Sequence, residues 1–267
     1  MDTHRLINVD QQWKEISDAS DFTGGAVQRY TEYGDEPGLV AFGAAYPDKL
    51  VQRLDYKEEI AWAHSRQTFP LYHQRNTWAP PGYRWNQKFL NYCWAWSVVG
   101  SLKDLFARED KFVPDLAPTT LGGDVGWRNK GNYLGSTLRW LRDRGVAERR
   151  FVPGWWDIDP SKFKPGWQDN ALKYRLGETW DLDNSSRSVM IQHCVSVLRT
   201  GTPVYIAYNW WSHALELVAL EWDEGQKNDL VWVIRNSHDE DDVIRLTGDK
   251  GVPDEAYGLR SSLTLTT

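Results

Sequence analysis

The hydrophobic period of this chain changes once, near Gly201, and that change limits the folds open to it. Before it, apolar residues recur at helical spacing. Val98, Val99, Leu102, Leu105 and Phe106 predict a helix over 92–108, with Asn91 as its N-cap. Leu134, Leu138 and Leu141 predict a second over 133–144, ended by Gly145. A third spans 187–200, capped by Ser185 or Ser186 and closed by Gly201. Beyond that glycine the chain reads as strands at 203–208, 214–220 and 230–235, with shorter ones at 243–246 and 259–265. The polar stretch 223–229 makes the second and third a hairpin. Helices first and strands second give an α+β order.

Residues 1–68 read differently. Gly-rich and acidic turns (Thr23-Gly24-Gly25, Tyr33-Gly34-Asp35-Glu36-Pro37-Gly38) separate short apolar pieces, with one helical pattern at 50–64. The segment carries no full core and reads as an arm of the domain that follows at 69–267. Apolar residues make up 41% and charged residues 25%, the balance of a globular chain rather than a disordered one. The formal net charge of −6 argues against a nucleic-acid-coating protein. No apolar run approaches the ~18 residues that cross a bilayer. The start, MDTHRLINVDQQW, has no apolar stretch of a secretory signal. The expectation is therefore no membrane partner, no nucleic-acid partner, and a cytoplasmic or particle-assembled setting. Cys93 and Cys194 are expected as free thiols, not a disulfide scaffold. Sixteen tryptophans point to a large aromatic core ahead of an aromatic binding surface.

The chemistry gathers around Cys93, in Gln87-Lys-Phe-Leu-Asn-Tyr-Cys93-Trp-Ala-Trp-Ser97. A thiolate is the nucleophile, and a cysteine in a helix's first turn gains from the helix dipole and more from an imidazolium. His213 opens the strand His213-Ala-Leu-Glu-Leu-Val after Asn209-Trp210-Trp211-Ser212. Asn236 ends the next strand in Val233-Ile-Arg-Asn236-Ser237. In an antiparallel hairpin the start of one strand faces the end of the next, so Asn236 lies beside His213. An amide oxygen there accepts from one ring nitrogen and leaves the other for the sulfur. Cys194 and His193 fall on a periodic helix and read as helix or core residues; adjacent positions are poor zinc geometry.

These residues resemble the papain family of cysteine peptidases. Gln87 through Ser97 is similar to that family's oxyanion glutamine and Cys-Trp-Ala-Phe-Ser motif, with Trp96 for the phenylalanine. His213-Ala214, Arg235-Asn236-Ser237, Gly131-Asn132-Tyr133 and Gly258-Leu259 resemble its later motifs in order, over about three quarters of the chain. The resemblance implies a papain-like two-lobe fold. A helical lobe at about 85–200 would carry Cys93, and a β-barrel-like lobe at about 201–267 plus 69–84 would carry His213 and Asn236. It implies a cysteine endopeptidase acting on polypeptides without a cofactor. Cys93 would attack, His213 would carry the proton, Asn236 would orient His213, and Gln87 with the Cys93 N–H would hold the oxyanion. Asn132, Tyr133, Leu134, Trp211 and Ala214 would bind substrate, with Trp210 and Trp211 on one side of an apolar subsite and Tyr133 and Leu134 on the other.

The chain departs from the pattern at several points. Leu90 and Asn91 stand where the family has Cys and Gly, Asn132 replaces a glycine whose backbone pairs with substrate, and His238 replaces a tryptophan that shields the His–Asn bond. The run Asp239-Glu240-Asp241-Asp242 reads as a solvated loop ahead of an oxygen-ligand cation site, and beside His213 it would raise the imidazole pKa. The turn-rich 1–68 segment does not resemble the family's helical pro-segments. A second reading is therefore a papain-fold structural subunit of a large assembly, such as a virion, with a dormant site and contacts through residues 1–68. A third keeps the nucleophile but changes the acceptor, as in amidases and acyltransferases.

Overall fold

The structure, a computed structural model, describes residues 6–18, 49–73, 85–182, 185–238 and 243–263. The elements run β1 (Leu6–Asn8), α1 (Val9–Asp18), α2 (Tyr56–Arg66), α3 (Cys93–Arg108), α4 (Leu134–Asp143), α5 (Trp167–Ala171), β2 (Arg175–Asp181), α6 (Arg187–Leu198), β3 (Val204–Tyr208), β4 (His213–Trp222), β5 (Leu230–Arg235), β6 (Val243–Thr247) and β7 (Glu255–Leu263). The strands form one sheet in the order β1-β6-β5-β4-β3-β7-β2. All its pairings are antiparallel except β1 on β6.

The period-2 geometry of a strand explains how this sheet divides the interior. Along β3, Val204, Ile206 and Tyr208 enter one core, and Tyr205 and Ala207 enter another. The first core packs Ile60, Ala63 and Phe69 with Met190, Cys194, Val195 and Leu198 of α6. The second packs α3 and α4 through Trp94, Trp96, Val99, Leu102, Phe106, Leu138 and Leu141. Since both faces of β3 are covered, its sequence is a continuous apolar run and not an alternation. Trp94, Trp96 and Trp232 are among the largest fully buried side chains, so the tryptophan excess is spent largely on packing.

The described N-terminal residues belong to the same sheet and core. Val9, Val51, Tyr56, Ile60 and Ala63 are buried in the first core. β1 extends the sheet edge, and the Asp10 carboxylate accepts the backbone N–H groups of Asp249 and Lys250, each at 2.8 Å. His64 Nε2 lies 2.8 Å from the Leu220 carbonyl, and Arg199 pairs with Glu59 at 2.9 Å.

Local signals placed the main helices within a few residues. Ser186 caps α6 through the Val189 N–H, and Gly145 ends α4 at φ +75°. A Cβ on Gly145 would meet the Ala171 carbonyl oxygen at 2.0 Å, so both backbone sign and space require glycine. The expected cap at Asn91 is corrected: Tyr92 is the N-cap of α3, without a side-chain cap bond. Asn91 is held instead in a loop clasp, its N–H on Asn129 Oδ1 and its carbonyl on Trp94 Nε1. The helix expected at 50–64 runs later, over Tyr56–Arg66. The last strand begins earlier, at Glu255. β2 was not foreseen; register shifts beside Gly177 break its alternation, and Ser261 Oγ occupies the space a Cβ at Gly177 would need. The turns at 23–25 and 33–38, Pro80, Pro81 and Gly82, and the acidic run 239–242 lie outside the described residues.

One ion cluster joins the layers. Arg235, at the end of β5, is 6% exposed. Its guanidinium pairs with Asp104 of α3, lies 3.6 Å from Glu216 of β4, and donates to the carbonyls of Pro70 at 2.9 Å and Leu71 at 3.3 Å. Burial pulls Arg235 toward the neutral form, and Asp104 and Glu216 more than reverse this, so its pKa ends raised. Replacing Arg235 by Met leaves two interior carboxylates without their cation. We expect Arg235→Met to lose about 3–5 kcal/mol in equilibrium urea unfolding. Arg235→Lys is expected to lose less, since it keeps the charge but not the forked donors.

Candidate active site

Three chain segments converge where β4 begins. The turn after β3 reverses the chain through Trp211 N–H to Tyr208 O and Ser212 N–H to Asn209 O, with Ser212 at φ +50°. It delivers His213 opposite Tyr208 as the first residue of β4. β5 ends at Arg235, so Asn236 lies beside that start, and His213 Nε2 is 2.8 Å from Asn236 Oδ1. The amide oxygen can only accept, which assigns the proton to Nε2 and leaves Nδ1 with its lone pair in the neutral ring. Nδ1 is buried and has no hydrogen-bond partner among the described residues.

Cys93 is the first residue of α3, so the positive end of the helix dipole favours a thiolate there. Its Sγ accepts the Ala214 N–H at 3.4 Å, which places the sulfur at the residue following His213. Two further bonds hold α3 against the strands: Ser97 Oγ to Ala214 O at 2.7 Å and Tyr205 OH to Trp94 O at 2.9 Å. Gln87 completes the group. Its N–H donates to Ser237 O at 2.7 Å, its Oε1 accepts from Ser237 Oγ, and its Nε2 donates to Leu90 O at 2.6 Å. Ser237 thus determines which way the Gln87 amide faces, a contact between sequence-distant residues that no motif pattern signalled.

The group is dry. Gln87, Cys93 and His213 are 0% exposed and Asn236 is 1% exposed. Burial first, and then His238, push the His213 pKa from 6.5 down to about 3, against an upward pull from the Asn236 bond. The acidic run 239–242, expected to raise the imidazole pKa if placed beside His213, lies outside the described residues. An isolated imidazolium is strongly disfavoured here, so a protonated ring would need a counter-charge beside it.

The residues expected to bind substrate sit in different surroundings. Leu134 and Ala214 are fully buried, Trp211 is 5% exposed, and Asn132 is turned inward with its Nδ2 on Thr137 Oγ1 at 3.1 Å. Asn132 and half-buried Tyr133 do line a surface pocket of about 530 Å³ with Asp124, Arg128 and Lys130. Trp211 stacks on Trp210 and lies 5.0 Å, ring to ring, from His213, so it covers the imidazole. Away from this group, Cys194 is packed against Met190 Sδ at 3.8 Å and burial pushes its thiol far up; it is a core residue. His193 is 3% exposed on the same helix. Among the described residues no cluster of His, Cys, Asp or Glu is arranged to hold a metal ion, and no helix is long and apolar enough to cross a membrane.

The depressed His213 pKa has a stability consequence. Below 6.5 the unfolded chain takes up a proton on His213 that the folded chain refuses until about 3. Folding stability therefore falls as pH drops through that window and is level below it with respect to this group. Chemical denaturation at several pH values is expected to show a shallower acid loss in His213→Gln than in wild type.

No family model and no curated protein matches the chain. Solved structures do. Procathepsin L 3 of Tenebrio molitor larval midgut aligns over 68% of this chain and 67% of its own, at 15% identity and a TM-score of 0.54. Xylellain, a cysteine protease from Xylella fastidiosa, aligns over 83% and 97%, at 16% identity and 0.51. The recombinant stem bromelain precursor aligns over 97% and 89%, at 14% identity and 0.53. With Cys93 at the start of a helix, His213 at the start of β4 and Asn236 just past the end of β5, the chain has the α+β, two-lobed papain-like fold of these proteins.

Proposed function

We propose that the protein is a cysteine peptidase that cleaves polypeptides through Cys93, His213 and Asn236. The observation that carries the reading is the joint placement of His213 Nε2 on Asn236 Oδ1 and of Cys93 Sγ on the Ala214 N–H. The neutral ring then presents Nδ1 as the acceptor for the Cys93 proton. Transfer gives a thiolate–imidazolium pair in a water-poor site, where the attraction between the two charges offsets their desolvation. The thiolate attacks the scissile carbonyl carbon, and the carbonyl oxygen takes the negative charge. The Cys93 N–H and the second N–H of the Gln87 amide donate to that oxygen. His213 gives its proton to the leaving amine. Water then attacks the thioester, passing a proton back through His213 and releasing the acid. Asn236 keeps the ring in the required tautomer throughout. Asn132 and Tyr133, on the pocket wall, are the substrate contacts this reading keeps nearest solvent, while Leu134, Trp211 and Ala214 support the cleft from behind.

The complete burial of Cys93 and His213 favours a closed state of this chain. That is consistent with two readings: a precursor-like form, since the bromelain precursor match takes in most of residues 1–68, or a dormant site in a structural subunit. An epoxide inhibitor of papain-like enzymes separates them. Intact mass before and after limited proteolysis is expected to show one adduct on the wild type and none on Cys93→Ala. No adduct in either state, under reducing conditions, would leave the dormant-subunit reading. Where hydrolysis is measured, Gln87→Ala is expected to lower kcat by about a hundredfold or more, the size of a lost oxyanion donor, with little change in KM.

A further inference from the structure

The position after Asn236-Ser237 holds a second imidazole. The His238 ring lies 5.5 Å, centroid to centroid, from the His213 ring and is tilted 32° from it. Its backbone is fastened from the far side, since Asn86 Nδ2 donates to the His238 carbonyl at 2.7 Å and Trp156 Nε1 donates to the Asn86 carbonyl at 2.8 Å. His213 therefore sits between two rings on chain segments that cannot easily part: Trp211 from the turn before β4, and His238 from the loop after β5.

We propose that His238 is a positioning residue for His213 that couples the proton on the catalytic imidazole to its own, so that the site is on when His238 is neutral and off when His238 is charged. The inference rests on the peptidase reading and adds a regulating group to it.

The argument is one of placement and charge. Two imidazolium ions at this separation repel, and since His213 is fully buried and His238 half-buried, water screens the pair only from the His238 side. The groups facing His213 among the described residues are few. From α3, Cys93 Sγ lies on the N–H of the next residue, Ala214, and from the loop after β5 His213 meets the neutral Asn236 amide and His238. Trp211 closes the remaining side with an uncharged ring. His238 is the charged group that acts on His213, and its effect is downward. A proton on His238 thus discourages the proton that His213 must receive from Cys93 if the thiolate is to form. An uncharged indole at the same place would shield the His213–Asn236 bond without this penalty. A histidine there shields it only above the pH at which histidine titrates. The bond balance is simple: His238 gains or loses one solvent proton, and no other bond forms or breaks.

The coupling is read by following the histidine ring resonances and the rate of Cys93 alkylation by iodoacetamide between about pH 2 and about pH 9. Wild type is compared with His238→Gln and His238→Trp. In both variants His213 is expected to bind its proton at least about tenfold more tightly, a rise of about one pH unit. The acid limb of Cys93 alkylation is expected to move to lower pH by a similar amount. His238→Trp restores a large ring, so a shift in both variants excludes an effect of lost packing. Unchanged His213 titration in both variants would overturn the inference, and alkylation that persists with the wild-type pH profile would do so while leaving the peptidase reading standing. A His213 shift in a protein whose Cys93 is never alkylated, before or after limited proteolysis, would do the reverse: the coupling would hold and the peptidase reading would fall.

Discussion

The Arg235 guanidinium is the interaction on which the rest of the site depends. It is the cation shared by Asp104 of α3 and Glu216 of β4, and it also takes the carbonyls of the 70–73 turn. Those partners come from the helix that carries Cys93, the strand that begins at His213 and the segment that follows α2. Arg235 is also the residue before Asn236. A shift of the guanidinium would therefore move Asn236, the helix that begins at Cys93 and the strand that begins at His213 relative to one another. A pair this deeply buried contributes little net stability over an apolar replacement of the same shape, but it tolerates no loss of one partner. Its geometric value is registry: a fork of donors that several acceptors must meet at once admits one arrangement of the layers.

Dryness limits the charges that this site can hold. With Cys93, His213 and Gln87 sealed from water, a single charge on the imidazole is costly, and a separated thiolate would be too. The surroundings are consequently built to hold hydrogen atoms at known places. Nε2 is committed to Asn236, the Gln87 oxygen is committed to Ser237, and the sulfur meets the Ala214 N–H. The Trp211 and His238 rings on either side extend the same logic, one as insulation and one as a titratable neighbour.

Much of the backbone around this group is readable without coordinates. The apolar spacing of Val98, Val99, Leu102, Leu105 and Phe106 follows from helix periodicity, and the hairpin of β4 and β5 from two apolar runs with a polar turn between them. The approach of Asn236 to His213 follows from that hairpin alone. The strand β2 was hidden because Gly177 and its register shifts interrupt the alternation that marks a strand. β1 was hidden because three residues carry no period. Asn91 has the chemistry of a cap, yet Asn129 competes for its backbone and helix α3 begins two residues later.

The sequence by itself determined the α+β order, the principal helices and strands, and the chemical types gathered at the ends of α3, β4 and β5. These properties are local: periodicity, capping chemistry and turn composition act over a few residues, where the chain's own geometry sets the answer. Only the tertiary structure decided that the site is sealed, that Ser237 turns the Gln87 amide, that Arg235 ties three layers together, and that His238 lies against His213. Those properties depend on which distant surfaces share one volume. In a close-packed interior, burial and electrostatics belong to that shared volume and not to any segment that contributes to it.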